Sequence, residues 1–390
     1  MFTLFKKQEK FTNTEQSFIF SDNEAQWTNK DFSNLAKESY CKNVIAHRCI
    51  TMISRNASSI PINLFLKNKN GKKRVNEHKI LSLLNSPNPY CSGIELLEEF
   101  YAYNLICGES YILATNNHNG EPIELNCLRP DFVKVINDKH GNKNGYLYEI
   151  GERKKFFPID KITGKSDIIT FKNFHPLSKN HGVSQIEAAM TSIDQHNQAS
   201  NWNQTLLQNS ARPSGALIMS AGNLLTKKQY DQLKEQISEC FSGANNSGKP
   251  LLLEGGLEWK ELGLTPKDMD FIESKNTAAR EIALALGVPP QLLGIPGDNT
   301  YSNFQEARLA FWEDTILPYA SKALALLSSW FSNIYQTDFI LELNTEQISS
   351  LSQKREMLWS KLENSNFLTI NEKRQILGFP PLKEEKQNIS

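Results

Sequence analysis

An α+β fold is what this sequence predicts, with strands and helices largely segregated along the chain. Three observations carry that prediction. Residues 60–180 contain short alternating runs separated by Gly, Asn and Asp turn signals. Long stretches of helical apolar periodicity follow from residue 184 onwards. Of the 390 residues, 39% are hydrophobic and 22% charged, with 20 Gly and 16 Pro, a composition that belongs to a folded protein with real cores.

The first 33 residues are polar and irregular and read as a loosely held arm, with no apolar h-region after the charged start to suggest a secretory signal. From Asn34 to Ser59, Leu35, Val44, Ile45, Cys49, Met52 and Ile53 recur at helical spacing, and Pro61 ends the helix. Ile62–Lys67 alternates like a strand, closed by a turn at Asn68–Gly71. Further strands are expected at Tyr111–Thr115, Ile123–Leu128, Val133–Ile136, Tyr146–Ile150 and Ile168–Phe171, with turns at Asn116–Gly120 and Asp138–Gly141.

Helix starts are legible from capping boxes, in which a hydroxyl and a Glu or Gln three residues later satisfy orphan backbone N–H groups reciprocally. Ser92–Glu95, Ser184–Glu187, Thr226–Gln229, Ser302–Gln305 and Thr369–Glu372 fit that pattern, and Thr265-Pro266 adds an N-cap with Pro at the first helical position. The helix expected over 184–212 changes its apolar face. Ile186, Ala189, Met190 and Ile193 share one side and Ala199, Trp202 and Leu206 the other, around a polar middle at Asp194–Gln198. A helix in one uniform core keeps one stripe, so this one crosses between two surroundings.

Residues 213–263 read as a small unit: strand Ala216–Met219, helix Lys227–Phe241, loop Gly243–Gly248, and strands Leu251–Glu254 and Leu257–Leu262. A helix over Pro266–Leu286 stops at Gly287 before Pro289-Pro290. A Gly/Pro-rich loop, 290–301, whose turn at Gly294, Pro296 and Gly297 is expected to pack against little, leads to a long helix with Leu309, Trp312, Ile316, Tyr319, Ala323, Leu326 and Trp330 in step, which Pro318 should kink. The tail, 345–390, holds two shorter helices and repeats a helix stop, Leu286-Gly-Val-Pro-Pro and Leu377-Gly-Phe-Pro-Pro.

Several function classes are excluded or weakened. Lys+Arg and Asp+Glu both number 43, so no polybasic grip on nucleic acid exists. Lys outnumbers Arg 33 to 10, which argues against a dedicated phosphate reader. The most apolar window, Ile316–Tyr335, contains Pro318, Lys322 and four Ser, and reads as a buried helix rather than a membrane span. The six Cys show no C-x-x-C pair, and the seven His form no H-E-x-x-H. No metal or cofactor is expected. Gly243–Lys249 fits G-x-x-x-x-G-K, but Pro250 stands where a magnesium-binding hydroxyl is needed, and the helix precedes the loop instead of following it. No G-x-S-x-G elbow occurs, Ser110 opens a strand, and adjacent Glu98 and Glu99 diverge on a helix, so no catalytic residue is assigned.

Short motifs then occur in a telling order. Ser59-Ile-Pro-Ile62, Leu84-Asn-Ser-Pro-Asn-Pro89, Leu105–Ile112, Gly120-Glu-Pro122 through Leu128-Arg-Pro130, Gly182-Val-Ser184, Asn209–Gly215, Leu286-Gly-Val-Pro-Pro290 with Leu293-Gly294, Tyr301-Ser-Asn303 and Phe367–Pro381 follow one another. Over residues 40–382 the chain resembles the HK97-type portal proteins of tailed phages, with Glu109-Ser110 in place of Asn-Ala and Gln185 in place of Pro.

The resemblance implies a portal-type subunit: a flexible arm (1–33), an α+β wing (34–183), a first stem helix (184–212), a small α/β clip (213–264), a second stem helix (265–289), a tunnel loop (290–302), a long helix returning to the wing (303–344) and a helical crown (345–390). It implies a ring, usually of twelve copies, at one capsid vertex. Double-stranded DNA would pass non-specifically through the ring. Partners would be the large terminase motor, the major capsid protein and a head–tail adaptor, with assembly in the host cytoplasm and residence in the virion. Gly294, Asp298, Asn299, Thr300 and Tyr301 would face the channel. Lys227, Lys228, Asp231, Lys234 and Glu235 would form a motor-docking surface on the clip. The tunnel loop has no Lys or Arg, and residues 184–211 of the first stem helix carry only Glu187 and Asp194 as charges, as sliding DNA requires. The competing readings are a monomeric α/β enzyme with an unrecognised site and a structural scaffold unrelated to phage.

Overall fold

The computed structural model describes residues 28, 31–68, 71–208, 215–219, 257–261, 271–296, 301–377 and 382. Outside them lie most of the expected arm, the helix at 227–241 with all five motor-docking residues, the Gly243–Lys249 fragment, the strand at 251–254, the starts at Thr226 and Thr265, and Asp298, Asn299 and Thr300.

The first expected helix is broken. A short α1 (Phe32–Leu35) runs into a wider π-type turn, Ala36–Cys41, and α2 (Val44–Ser58) starts afresh. Asn43 makes the break: its Oδ1 accepts from the amides of Ile45 and Ala46, both at 3.0 Å, and caps α2. β1 (Ile62–Asn68) and β2 (Gly71–Val75) follow, then α3 (Lys79–Asn85) and α4 (Gly93–Cys107). Between the last two, Asn88 organises the Pro-Asn-Pro corner. Its Oδ1 accepts from the amides of Tyr90 and Cys91, and its Nδ2 reaches Leu125 O at 2.9 Å.

The strands β3 (Glu109–Asn116), β4 (Pro122–Leu128), β5 (Val133–Asn137), β6 (Lys143–Ile150), β7 (Arg153–Pro158) and β8 (Ile168–Lys172) form two antiparallel sheets, ordered β4-β3-β8 and β5-β6-β7. A small core of Tyr111, Leu128, Val133, Tyr146, Phe157 and Ile168 joins them. Glu149 on β6 is clasped by Lys134 of β5 at 2.5 Å and Lys154 of β7 at 2.7 Å, which holds its carboxyl at about 2. Neither β2 nor β7 is expected from the sequence. Both are edges of their sheets and rich in Lys and Arg. Pairing with a neighbour recruits them, rather than any apolar alternation of their own, and such charge suits an edge that must not template aggregation.

Next come α5 (Gln185–Ala188) and α6 (Met190–Gln208), so the expected single helix is interrupted at Ala189. Strands β9 (Gly215–Met219) and β10 (Leu257–Glu261) pair antiparallel. The helix α7 (Phe271–Ala285) ends at Gly287, whose φ of +68° is the left-handed stop.

The long helix comprises α8 (Tyr301–Ala310), a π-type turn Phe311–Ile316, and α9 (Leu317–Tyr335). Pro318 therefore sits just after a widened turn in which the Leu317 amide already reaches back to Trp312 O. The turn absorbs the missing N–H of the proline. Because α8 already contains Ser302, that residue is not the cap that its spacing suggested. A last strand, β11 (Phe339–Leu343), returns to pair with β1, Leu64 opposite Leu341. Two helices close the described chain, α10 (Ser352–Glu363) and α11 (Ile370–Ile376). The boxes at Ser92 and Thr369 form as the sequence predicts.

The main core gathers α2, α4 and α9. Cys49, Ile50, Ile53, Leu96, Phe100, Leu324, Leu327 and Phe331 are all buried in it. Each such aliphatic or aromatic side chain contributes about 1.5–3 kcal/mol on burial. Tyr319 fastens α9 to α4: its hydroxyl lies 2.9 Å from Asn104 Oδ1 and 3.1 Å from Tyr101 O. The cysteines described are all free thiols, and burial pushes Cys49 and Cys107 up to about 12, so both behave as small apolar groups. Among the described residues, no helix is long and apolar enough to cross a membrane, and no three His, Cys, Asp or Glu side chains gather as a metal site.

Candidate functional site

The helix that the sequence reads as crossing between two surroundings starts where α5 and α6 leave the α+β unit, and the local chemistry there is specific. Ser184 is buried and caps α5 by accepting from the amides of Ile186 at 2.9 Å and Glu187 at 3.2 Å. Its hydroxyl donates back to Ile106 O at 2.5 Å, at the C-terminal end of α4. One side chain thus ties the end of one helix to the start of the next. Gly108 and Gly182 permit that approach. Gly108 has φ +81°, and a Cβ on Gly182 would lie 2.1 Å from Gly108 O. The buried carboxylate of Glu109 accepts from the Gly182 amide at 3.3 Å. Ser110 is wholly buried in β3, a structural position.

The polar middle of α6 has a local cause. Asp194 accepts from the Thr28 amide at 3.1 Å and from its hydroxyl at 2.6 Å, so the N-terminal segment is tied down at that point. Asn43 Nδ2 lies 3.0 Å from Asn197 Oδ1 and 3.2 Å from His196 Nδ1, and Asn197 donates to Glu38 O at 2.9 Å. With Asn43 as the donor, Nδ1 of His196 carries the lone pair and the ring is neutral. Burial, reinforced by Lys275, holds the imidazole below its ordinary range. The change of face along α6 therefore reflects a polar seat for the N-terminal segment, not simple exposure to solvent.

Beside that seat lies a cleft of about 640 Å³ between α2, α6, α7 and the loop after α7, with Ser200, Asn276, Ala279 and Gly294 in its walls. Among the expected channel residues, the structure brings Gly294 here, where φ +70° turns the chain out of a 3-10 turn at Pro290–Leu293. Two expectations about this loop need correction. Its first part packs closely: Ile295 is buried, and Arg280 donates to Pro296 O at 2.6 Å. The burial of one apolar side chain outweighs the freedom of the flanking Gly and Pro. At the other end, Tyr301 belongs to α8, not to the loop. Thr315 further anchors the region by donating to Gly287 O at 2.6 Å. On α6, Asp194 is the sole charged side chain, and Thr28 occupies it.

A second surface escaped the sequence reading. Met357, Leu358 and Trp359 on α10 are all exposed, as are Phe367 and Ile370 beyond it. The signal was present as three consecutive large apolar residues in a helix with five charged ones.

The comparisons with known proteins agree with this architecture. The sequence model of the family described as phage portal protein matches residues 45–378. A protein of Rickettsia felis is 45% identical over 378 residues, covering 97% of each chain. The portal protein of Enterobacteria phage HK97 is 26% identical over 347 residues, covering 86% of this chain and 78% of its own. Two solved gene transfer agent (GTA) necks are similar at 37% identity. The neck of an empty particle, computed with C6 symmetry, has a TM-score of 0.71 and covers 92% of this chain and 96% of its own. The neck of a native particle, computed with C12 symmetry, has a TM-score of 0.69 and covers 91% and 95%. With a match that runs from α2 through α11 and a fold shared along its length, the chain belongs to the phage portal protein family.

Proposed function

We propose that this portal chain assembles into a closed ring of twelve copies, seated at one vertex of a phage-like particle, through which double-stranded DNA is packaged and released. The likeness to a GTA neck computed with C12 symmetry, at 37% identity and over 91% of the chain, carries this reading. A heterologous interface whose rotation closes generates such a ring. The two helices α6 and α7 line the channel, together with the loop that follows α7. The charge pattern supports this: α6 bears no Lys or Arg, and the loop 294–303 bears one Asp and no cation. Each phosphate contact to a cation adds salt-sensitive affinity, so α6 and this loop let DNA slide, and the cations of the lining are confined to Lys275 and Arg280 on α7.

Residues 213–264 act as the clip that docks the large terminase motor through Lys227, Lys228, Asp231, Lys234 and Glu235. The major capsid protein and a head–tail adaptor are the other partners, and assembly takes place in the host cytoplasm before residence in the virion. The work of the chain is mechanical, and the motor supplies ATP hydrolysis. Complementation of a portal-deficient particle tests this. Deleting 297–299, which spares the packed part of the loop, is expected to leave rings intact and to lower DNA packaging or retention. Replacing 222–249 by a short Gly/Ser linker is expected to abolish motor binding. Normal packaging in the first variant would reduce the loop to a connector, and undiminished motor binding in the second would remove the clip assignment.

A further inference from the structure

We infer that α10 is a two-sided clasp between copies of this chain, its Met357 flank meeting the Trp359 flank of the next subunit. The inference rests on the ring reading and names a surface that closes the ring. From Glu356 to Lys361 every side chain of α10 is exposed; Leu362 is the helix's buried contact with the rest of the chain. Met357 is 64% exposed and Trp359 57%. A lone surface helix covers one stripe and leaves polar residues elsewhere, so large apolar groups on other faces mark contacts yet to be made.

Their placement is directional. Counted at about 100° per residue from Leu362, Lys361 lies about 100° and Met357 about 140° to one side. On the other side lie Trp359, Glu363 and Glu356, at about 60°, 100° and 120°. One flank is therefore apolar and basic, the opposite flank apolar and acidic. Lys354 also lies on the basic flank but is engaged by Glu313 of the long helix at 2.5 Å. Lys361, Glu356 and Glu363 form no ion pair among the described residues.

A two-fold dimer would set one flank against itself, bringing like charges together and leaving the other apolar group in water. A head-to-tail arrangement covers both and pairs Lys361 with Glu356 and Glu363 of the neighbour. The helix is fixed well enough to present these flanks: Arg355 donates to Thr345 O and Ile348 O, both at 3.1 Å. Exposed Phe367 and Ile370 extend the apolar surface past the end of α10.

The test uses the full chain with Cys41→Ser, so that an exposed native thiol does not interfere. A bis-maleimide cross-linker is applied to Met357→Cys, to Trp359→Cys and to the double variant. The double variant is expected to give a ladder up to the ring and each single variant to remain uncross-linked. Mass photometry then follows charge reversal. Lys361→Glu is expected to lower the ring fraction at least about tenfold, and Lys361→Glu with Glu356→Lys and Glu363→Lys to restore it, a rescue that a folding defect would not show. Rings that persist through charge reversal, with no ladder, overturn the clasp and leave the ring reading standing. Dimers from a single-cysteine variant overturn it in favour of a two-fold contact. An unaltered chain that never exceeds a monomer overturns the ring reading, and the clasp with it.

Discussion

Replacing Asn43 by Ala tests how the N-terminal segment is joined to α6. Asn43 is 1% exposed, and all of its polar atoms are committed. Its Oδ1 accepts from two amides at the start of α2, and its Nδ2 reaches Asn197 and His196 on α6. Loss of such a cap costs about 1 kcal/mol. Leaving the buried lone pair of His196 unpaired costs a further ~1–3 kcal/mol. The change should therefore destabilise the fold by about 3 kcal/mol. Asn43→Ser keeps the cap and loses the bridge, so it isolates the second contribution at about 2 kcal/mol. Urea denaturation at fixed protein concentration measures both, and hydrogen exchange of the Ile45 and Ala46 amides separates them. Exchange should accelerate in the Ala variant and stay slow in the Ser variant. Equal stability of both variants with the unaltered chain would refute the reasoning, because two buried partners would then have been lost without cost.

Gly182→Ala should destabilise the chain by several kcal/mol, read by thermal unfolding, because the new Cβ would meet Gly108 O at 2.1 Å, a backbone atom that no side-chain rotation can move aside. Acidification should weaken the fold from pH 6.5 downwards. His196 is held below that value when folded, so the unfolded chain takes up the proton first, and stability present above pH 6.5 is lost as the pH falls. His196→Gln should flatten that part of the stability–pH profile, with His78, also held low by burial, supplying the remainder. In maleimide labelling of the native protein at pH 7.5, Cys41 should react quickly, whereas Cys49 and Cys107 should wait for unfolding, since burial pushes both thiols up to about 12.

Much of the architecture is written in local sequence. Ser92, Ser184 and Thr369 cap helices because a hydroxyl at that position satisfies backbone amides with no help from distant residues. Gly287 stops α7 for an equally local reason. What was not legible depends on partners far away in the chain. Edge strands β2 and β7 exist because β1 and β6 offer hydrogen bonds, not because Lys-Lys-Arg or Arg-Lys-Lys favours a strand. Asn43 caps α2 locally, but its second bond, to Asn197, lies 154 positions along. Ile295, read as part of a loose loop, is buried by residues that only the fold brings near. The candidate site divides in the same way. The lack of any Lys or Arg on α6 was visible in its composition, whereas the seat for Thr28 on Asp194 and the exposure of both flanks of α10 depend on the folded structure.

The closed ring is the central claim, and end-on electron-microscopy class averages of the assembled protein test it most directly. The account predicts a closed, twelve-fold ring around an axial channel, with a mass of about 530 kDa for twelve chains of 44.3 kDa each. Open filaments, two-fold dimers or discs without a channel would contradict it.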